Sequence, residues 1–325
     1  MAAASMKEKT KKLCEVLGIE HPVILGGMAY LGRHALAAAV SEAGGLGQLA
    51  CAGTRSVEEL REEIRLTKTL TGKPFAVNIP ASVKPERFQE QVRAAFEEGV
   101  RILTIGGGNP LKLIPPLKAQ GFTVISVAGC AKHARKAQEA GADLIVAEGV
   151  EAGGHNNLDE ITTMVLVPQI VDAVSLPVIA AGGIADGRGM AAALCLGACG
   201  VQIGTRFIAS AECAAHDNLK QAIISATEQD TFILGREDHL VMRALRTPVS
   251  EKYLALERNG SFHFKDMIQE LGRDVYYRAS MQGDLENALF YPGQDVGAIR
   301  EVLPAAEIIE SLLRDCRELL PQSGV

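Results

Sequence analysis

The sequence predicts an α/β fold, a (β/α)8 TIM barrel with a C-terminal helical appendage over the barrel mouth. Three observations carry that expectation. Eight short apolar runs alternate with helical patterns between residue 22 and about residue 230. The runs are continuously apolar, so both faces of each strand are buried, as in a parallel sheet. Many of the 33 glycines stand at the ends of these runs, where a barrel needs tight strand-to-helix turns. The length, 325 residues, suits one barrel plus an added segment.

The eight runs are Pro22–Leu25, Leu46–Ala50, Phe75–Ile79, Ile102–Ile105, Thr123–Val127, Leu144–Ala147, Pro177–Ala181 and Val201–Ile203. The helices between them are well punctuated. Ser56-Val57-Glu58-Glu59 reads as a capping box, with Val57, Leu60 and Ile64 on one face. Pro85 suits a first helical position, and Phe88, Val92, Ala95 and Phe96 form a buried stripe. Gly44, Gly72, Gly99, Gly121, Gly141 and Gly197 stand where helices should stop. Eight βα units in sequence fit a closed barrel better than a doubly wound sheet.

After about residue 231 the rhythm changes. Aromatics become denser (Tyr253, Phe262, Phe264, Tyr276, Tyr277, Phe290, Tyr291), and basic residues gather (Arg236, Arg243, Arg246, Lys252, Arg258, Lys265). The expected division is a barrel over residues 1–230 and a helical segment over 231–325 that lines the mouth. Helices padding the outside are the alternative.

Composition excludes several classes. A net charge of −6 and a pI near 5.7 lack the basic stripe of a nucleic-acid-binding protein. The small, polar, basic start, Met1 to Lys12, lacks the apolar stretch of a secretory signal. No apolar run approaches the roughly 20 residues that span a bilayer. A soluble, cytoplasmic protein is expected. The seven cysteines are scattered, with no Cys-x-x-Cys pair, which suits a reducing compartment. Cys195 and Cys199, four apart on a predicted helix, read as core. Cys213-x-x-His216 lacks a second ligand pair, so no metal is expected.

In barrels the chemistry sits at the C-terminal strand ends. Here those ends carry Gly26-Gly27-Met28-Ala29, Asn78, Gly106-Gly107-Gly108-Asn109, Glu148 through Gly154-His155, Ala181-Gly182-Gly183 and Gln202-Ile203-Gly204-Thr205. Glycines after the last two runs let backbone N–H groups approach an anion, so a phosphate site is expected there. Asp186 would cap the next helix. Gly187-Arg188-Gly189-Met190-Ala191-Ala192 matches a dinucleotide fingerprint, but it starts too far after its strand and no acidic residue ends the next one. His155, after two glycines, is either a proton or hydrogen-bond donor to a substrate or a turn histidine; spacing alone favours neither. His133, His216, His239 and His263 stand in no motif and read as surface or structural.

The ordered set Gly26-Gly27-Met28-Ala29, Lys73 to Asn78, Gly108-Asn109-Pro110, Glu148 to His155, Thr162-Thr163-Met164, Pro177 to Gly187 and Gln202 to Phe207 resembles the nitronate monooxygenase / 2-nitropropane dioxygenase superfamily. Within it the sequence is most similar to the FMN-dependent type II enoyl-acyl-carrier-protein reductases. Gly283-Asp284-Leu285-Glu286-Asn287 and Pro292-Gly293-Gln294 extend the likeness into the tail. The resemblance implies FMN across the barrel mouth. Gly26, Gly27, Met28 and Asn78 would border its ring system. Gly182, Gly183, Gly204 and Thr205 would hold its phosphate, and Glu148, Gly154, Ala181 and Gln202 would line the rest. His155 matches the family's active-site histidine.

Two segments depart from the pattern. Asn156-Asn157-Leu158-Asp159-Glu160 is longer and more acidic than the usual turn, and the stretch from Ile79 to Pro85 is short. The resemblance implies ping-pong reduction of an enoyl thioester, with NADH or NADPH as co-substrate and a small-molecule or carrier-protein-bound acyl substrate. A nitronate monooxygenase and an NAD(P)H:quinone reductase are the alternatives on the same fold, and a flavin-binding protein without turnover is a third. The basic, aromatic tail would contact the nicotinamide cofactor and an acidic carrier protein. A homodimer is what the family suggests.

Overall fold

A computed structural model describes residues 2–260, 263–272 and 274–321. Phe262 and the side chain of Lys265 lie outside the described residues. The first eleven elements alternate as β1 (Val23–Leu25), α2 (His34–Glu42), β2 (Gly47–Ala50), α3 (Val57–Leu70), β3 (Phe75–Pro80), α4 (Pro85–Glu97), β4 (Ile102–Gly106), α5 (Pro110–Ala119), β5 (Thr123–Ala128), α6 (Ala131–Glu139) and β6 (Leu144–Glu148), with helix α1 (Ala2–Leu17) ahead of them. A two-residue strand, β7 (Gly154–His155), precedes α7 (Thr163–Ala173), β8 (Val178–Ala181), α8 (Gly187–Cys195) and β9 (Gly200–Ile203). All eight expected strands are present. They pair in parallel in the order β1-β9-β8-β6-β5-β4-β3-β2. The ring closes through a parallel bridge, Ile24 to Leu46, where Leu25 N–H donates to Leu46 O and Leu46 N–H to Val23 O, each at 2.9 Å. The fold is the expected TIM-barrel type.

The barrel interior is filled by Ile24, Leu46, Ala76, Ile102, Ile125, Leu144, Val146 and Ile179. Leu13 and Leu17 of α1 pack against this set and close the bottom. The polar start therefore hides a helix whose last turns are core; burying each leucine contributes about 1.5–3 kcal/mol. Ser56 caps α3 by accepting Glu59 N–H, but Glu59 reaches back to Arg55 N–H, one residue beyond the expected box. Pro85 opens α4 with Phe88, Val92 and Ala95 buried; Phe96 is instead partly exposed and lies under the Arg101 guanidinium. Five of the six expected helix-stop glycines have positive φ, and Gly72 does not, because α3 ends at an extended Thr71. Cys195 is exposed, whereas Cys199 is buried.

The larger correction concerns the tail. After α9 (Thr205–Ile208) and α10 (Asp217–Ser225) come two strands, β10 (Thr231–Leu234) and β11 (Met242–Leu245), so the segment is not purely helical. Helices α11 (Pro248–Arg258), α12 (Phe264–Leu271) and α13 (Val275–Gln282) follow. The last helix, α14 (Ala305–Leu319), packs between α8 and α2. That is the place of the eighth outer helix of a barrel. Residues 209–304 are thus an insertion between the last strand and the last helix, and the expected division at residue 230 does not separate barrel from appendage. The first glycine of the dinucleotide-like run is explained by the same contact: a Cβ on Gly187 would fall 2.5–2.8 Å from Asp315, Cys316 and Leu312 of α14, whereas one on Gly189 would meet only Ile184. No helix among the described residues is long and apolar enough to cross a membrane.

Candidate active site

The C-terminal strand ends surround a cavity of about 620 Å³. It is lined by all thirteen residues expected at the site: Gly26, Gly27, Met28, Asn78, Glu148, Gly154, His155, Ala181, Gly182, Gly183, Gln202, Gly204 and Thr205. The insertion adds Met242, Tyr276, Tyr291 and Asp295. His133 is exposed, as expected of a surface histidine, but it also stands at the mouth of the cavity. Its place at the mouth follows from position, since His133 stands in the first turn after β5, where barrel sites form.

His155 does not sit on a free loop. Gly154 and His155 form β7, whose residues pair antiparallel with Arg243 and Met242 of β11. Asn156 N–H donates to Val241 O at 2.8 Å, and Asn156 Nδ2 donates to Ala152 O and Gly154 O at 2.8 and 3.1 Å. The insertion therefore clamps the histidine backbone at both ends of the pair. The imidazole ring makes no hydrogen bond within the described residues and faces the cavity. Burial holds its pKa below the ordinary imidazole value, so it is neutral at pH 7 and carries one N–H donor.

The long loop after it is fastened as well. Asn157 Nδ2 donates to Gly129 O at 3.1 Å, and Glu160 receives both the Nε and an Nη of Arg236 at 2.7 Å. Other tail cations are also engaged within the chain. Arg243 is buried against Val150 O and Thr231 Oγ1, Arg246 pairs with Glu251, and Lys252 pairs with Glu270. The charge expected to face an acidic partner is largely met inside the protein.

The far side of the cavity is built for an anion. Gly182 and Gly183 have φ of 97° and 73°, which turns the chain sharply after β8. The N–H groups of Gly183 and Gly204 donate to nothing within the described residues. Thr163 holds this turn in place: its hydroxyl lies 2.9 Å from Gly182 O, while its N–H and hydroxyl engage the Glu151 carboxylate at 2.9–3.0 Å. Asp186 caps α8 as expected, accepting Arg188 and Gly189 N–H groups. Between the two ends, Gln202 Oε1 is buried with no partner. A Cβ on Gly204 would meet only the Met28 side chain, and one on Gly154 would meet open space. A flat polar ring with a phosphate tail would satisfy these groups.

Glu148, at the end of β6, has its carboxyl pushed up to about 7 by burial alone. A carboxyl raised in the fold favours folding most at pH below its unfolded value, and that contribution is lost as pH rises through about 7. Glu148→Gln should therefore be more stable than the parent at alkaline pH by about 1–3 kcal/mol, with the gap closing in acid. Urea unfolding at several pH values checks this; a pH-independent gap would contradict it.

A closed parallel barrel with polar groups converging on one cavity at its strand ends defines a barrel enzyme. Over residues 10–315 the chain matches the nitronate monooxygenase family, and it belongs to that family. It is 43% identical to FabK from Thermotoga maritima, with a TM-score of 0.89 and coverage of 96% of this chain and 97% of that one. It is 35% identical to (3aS,4S,5R,7aS)-5-hydroxy-7a-methyl-1-oxo-octahydro-1H-indene-4-carboxyl-CoA dehydrogenase of Mycobacterium tuberculosis, covering 93% of this chain and 95% of the relative. A probable nitronate monooxygenase of Staphylococcus aureus is 32% identical over 95% of this chain and 98% of its own length. The protein is an oxidoreductase of this family.

Proposed function

We propose that the protein is an FMN-dependent NAD(P)H oxidoreductase that reduces enoyl thioesters carried on acyl carrier protein. The observation that carries this reading is the full-length likeness to FabK, an enoyl-acyl-carrier-protein reductase II, together with a clamped, neutral His155 facing the cavity. The carboxyl-CoA name of the Mycobacterium relative also favours a thioester substrate.

When bound, FMN would accept hydride from the nicotinamide and pass it on. The residues fit it. Gly183 and Gly204 offer free N–H groups to the phosphate, with Thr205 and Gly182 beside them. Gly26, Gly27, Met28 and Asn78 border the ring, and Glu148, Gly154, Ala181 and Gln202 line the remainder. Gln202 Oε1 would gain the partner it lacks. His155 would donate its N–H to the thioester carbonyl, drawing charge toward that oxygen and orienting the acyl chain. Tyr276 and Tyr291 would exclude water from the acyl side.

A nitronate monooxygenase is the second reading, favoured by the Asn156–Glu160 segment, whose ties to Gly129 and Arg236 restrict the outer mouth. One experiment separates the two. NADH or NADPH is added anaerobically to the flavin-loaded protein, followed by a short enoyl thioester, while flavin absorbance is followed near ~450 nm. Bleaching by nicotinamide and thioester-dependent recovery is the expected result. Bleaching by an alkyl nitronate alone would move the assignment to the monooxygenase.

A further inference from the structure

The anion side of the cavity contains a charge that a phosphate would meet with repulsion. No lysine or arginine lines the cavity among the described residues, but Asp295 does. Its carboxyl lies against Gly293 and Thr205: a Cβ on Gly293 would fall 2.4 Å from Asp295 Oδ1 and 3.1 Å from Thr205 Oγ1. Thr205 Oγ1 accepts the Gly293 N–H at 2.8 Å, so its single proton is left to turn toward Asp295. The charged group acting on Asp295 is Arg243 of β11, whose guanidinium is committed to Val150 O and Thr231 Oγ1 at 2.9 and 3.1 Å. Glu151, whose backbone oxygen accepts the Gln294 N–H, spends its carboxylate on Thr163. Buried in this way, the Asp295 carboxyl is pushed up to about 7.

The two protonation states act oppositely on a phosphate. Ionised, Asp295 competes for the Thr205 proton and repels the anion. Neutral, it presents an O–H of its own. We propose that Asp295 is a ligand of the FMN phosphate that works only in its neutral form, so that FMN binding takes up a proton. This rests on the FMN reading above. Riboflavin, which lacks the phosphate, would be indifferent to Asp295.

The full-length protein, freed of flavin, is titrated with FMN and separately with riboflavin, with flavin fluorescence as the readout. From about pH 6 to about pH 8.5 the FMN affinity of the parent should fall by about tenfold or more, while that for riboflavin stays flat. Asp295→Asn should hold FMN with a much shallower pH dependence. The second ionisation of the phosphate itself, near pH ~6, is common to both proteins and cancels in the comparison. Asp295→Ser serves as a second variant, should the amide disturb the turn. A flat FMN profile in the parent, an equal slope in both variants, or the same slope with riboflavin would overturn the proposal while leaving FMN in place. Failure of either flavin to bind at any pH would overturn the FMN reading itself.

Discussion

Replacing His155 with alanine should lower kcat/KM for the enoyl thioester by about 10²–10³ and leave flavin content near that of the parent. The backbone pairing of β7 with β11 does not involve the imidazole, so the strand should survive the change. What is removed is a donor aimed into the cavity, and its effect belongs to the transition state if it polarises the carbonyl. The loss should therefore fall on kcat more than on KM. His155→Gln, which keeps an N–H donor, should recover part of the rate. The pH profile is a further check. The imidazole is held below its ordinary pKa by burial, so it stays neutral at and above pH 7. An imidazolium keeps the donated N–H, so activity carried by this donor should not fall as pH drops through the histidine range. An acid limb there that vanished in His155→Ala would instead assign the neutral ring as a proton acceptor. Unchanged turnover in His155→Ala would remove the histidine from the mechanism.

The second large effect is expected at Gly149, outside the cavity. A Cβ there would fall 2.1 Å from Thr163 Oγ1, 2.4 Å from Thr163 N and 2.7 Å from Glu151 Oε2. The backbone of Gly149 does not have positive φ, so the penalty for alanine is steric. Thr163 opens α7 and ties that helix to the Gly182 carbonyl, and Glu151 caps the same residue. Alanine at 149 would push Thr163 away and release the turn that offers Gly183 to an anion. A destabilisation of about 3 kcal/mol or more is expected, together with loss of bound flavin. Thr163→Ala, which removes the hydroxyl's ties to Glu151 and Gly182 but keeps the N–H bonds to Glu151 and makes no clash, should lose about 1–2 kcal/mol. Urea midpoints and flavin content after gel filtration measure both effects. A Gly149→Ala protein with parental stability and full flavin would show that the turn tolerates displacement.

Much of this protein was legible locally. Continuous apolar runs mark strands buried on both faces, and all eight appear where the runs predict. Cap chemistry placed Ser56, Pro85 and Asp186 correctly, because a cap is a contact between residues two to four apart. The glycine-rich strand ends pointed to the cavity because a barrel brings all its C-terminal strand ends to one face. The errors lie where a residue's setting depends on distant chain. Phe96 continues an apolar stripe, yet its place at the edge of α4 leaves it half in solvent under Arg101.

Tertiary structure decided three things that periodicity could not. One is that α14 fills the eighth outer position, so the segment before it is an insertion; its apolar face is readable, but the neighbours that face meets are α8 and α2, far away in sequence. Another is the pairing of Gly154 and His155 with Met242 and Arg243, which turns an apparent loop into a held strand. The last is the placement of Asp295 beside Thr205, in a cavity whose other anion-side residues come from β8 and β9. The strands and their glycines follow from forces acting within a few residues. The clamp on His155 and the carboxyl at Thr205 exist only because closing the barrel and docking the insertion bring distant segments into contact.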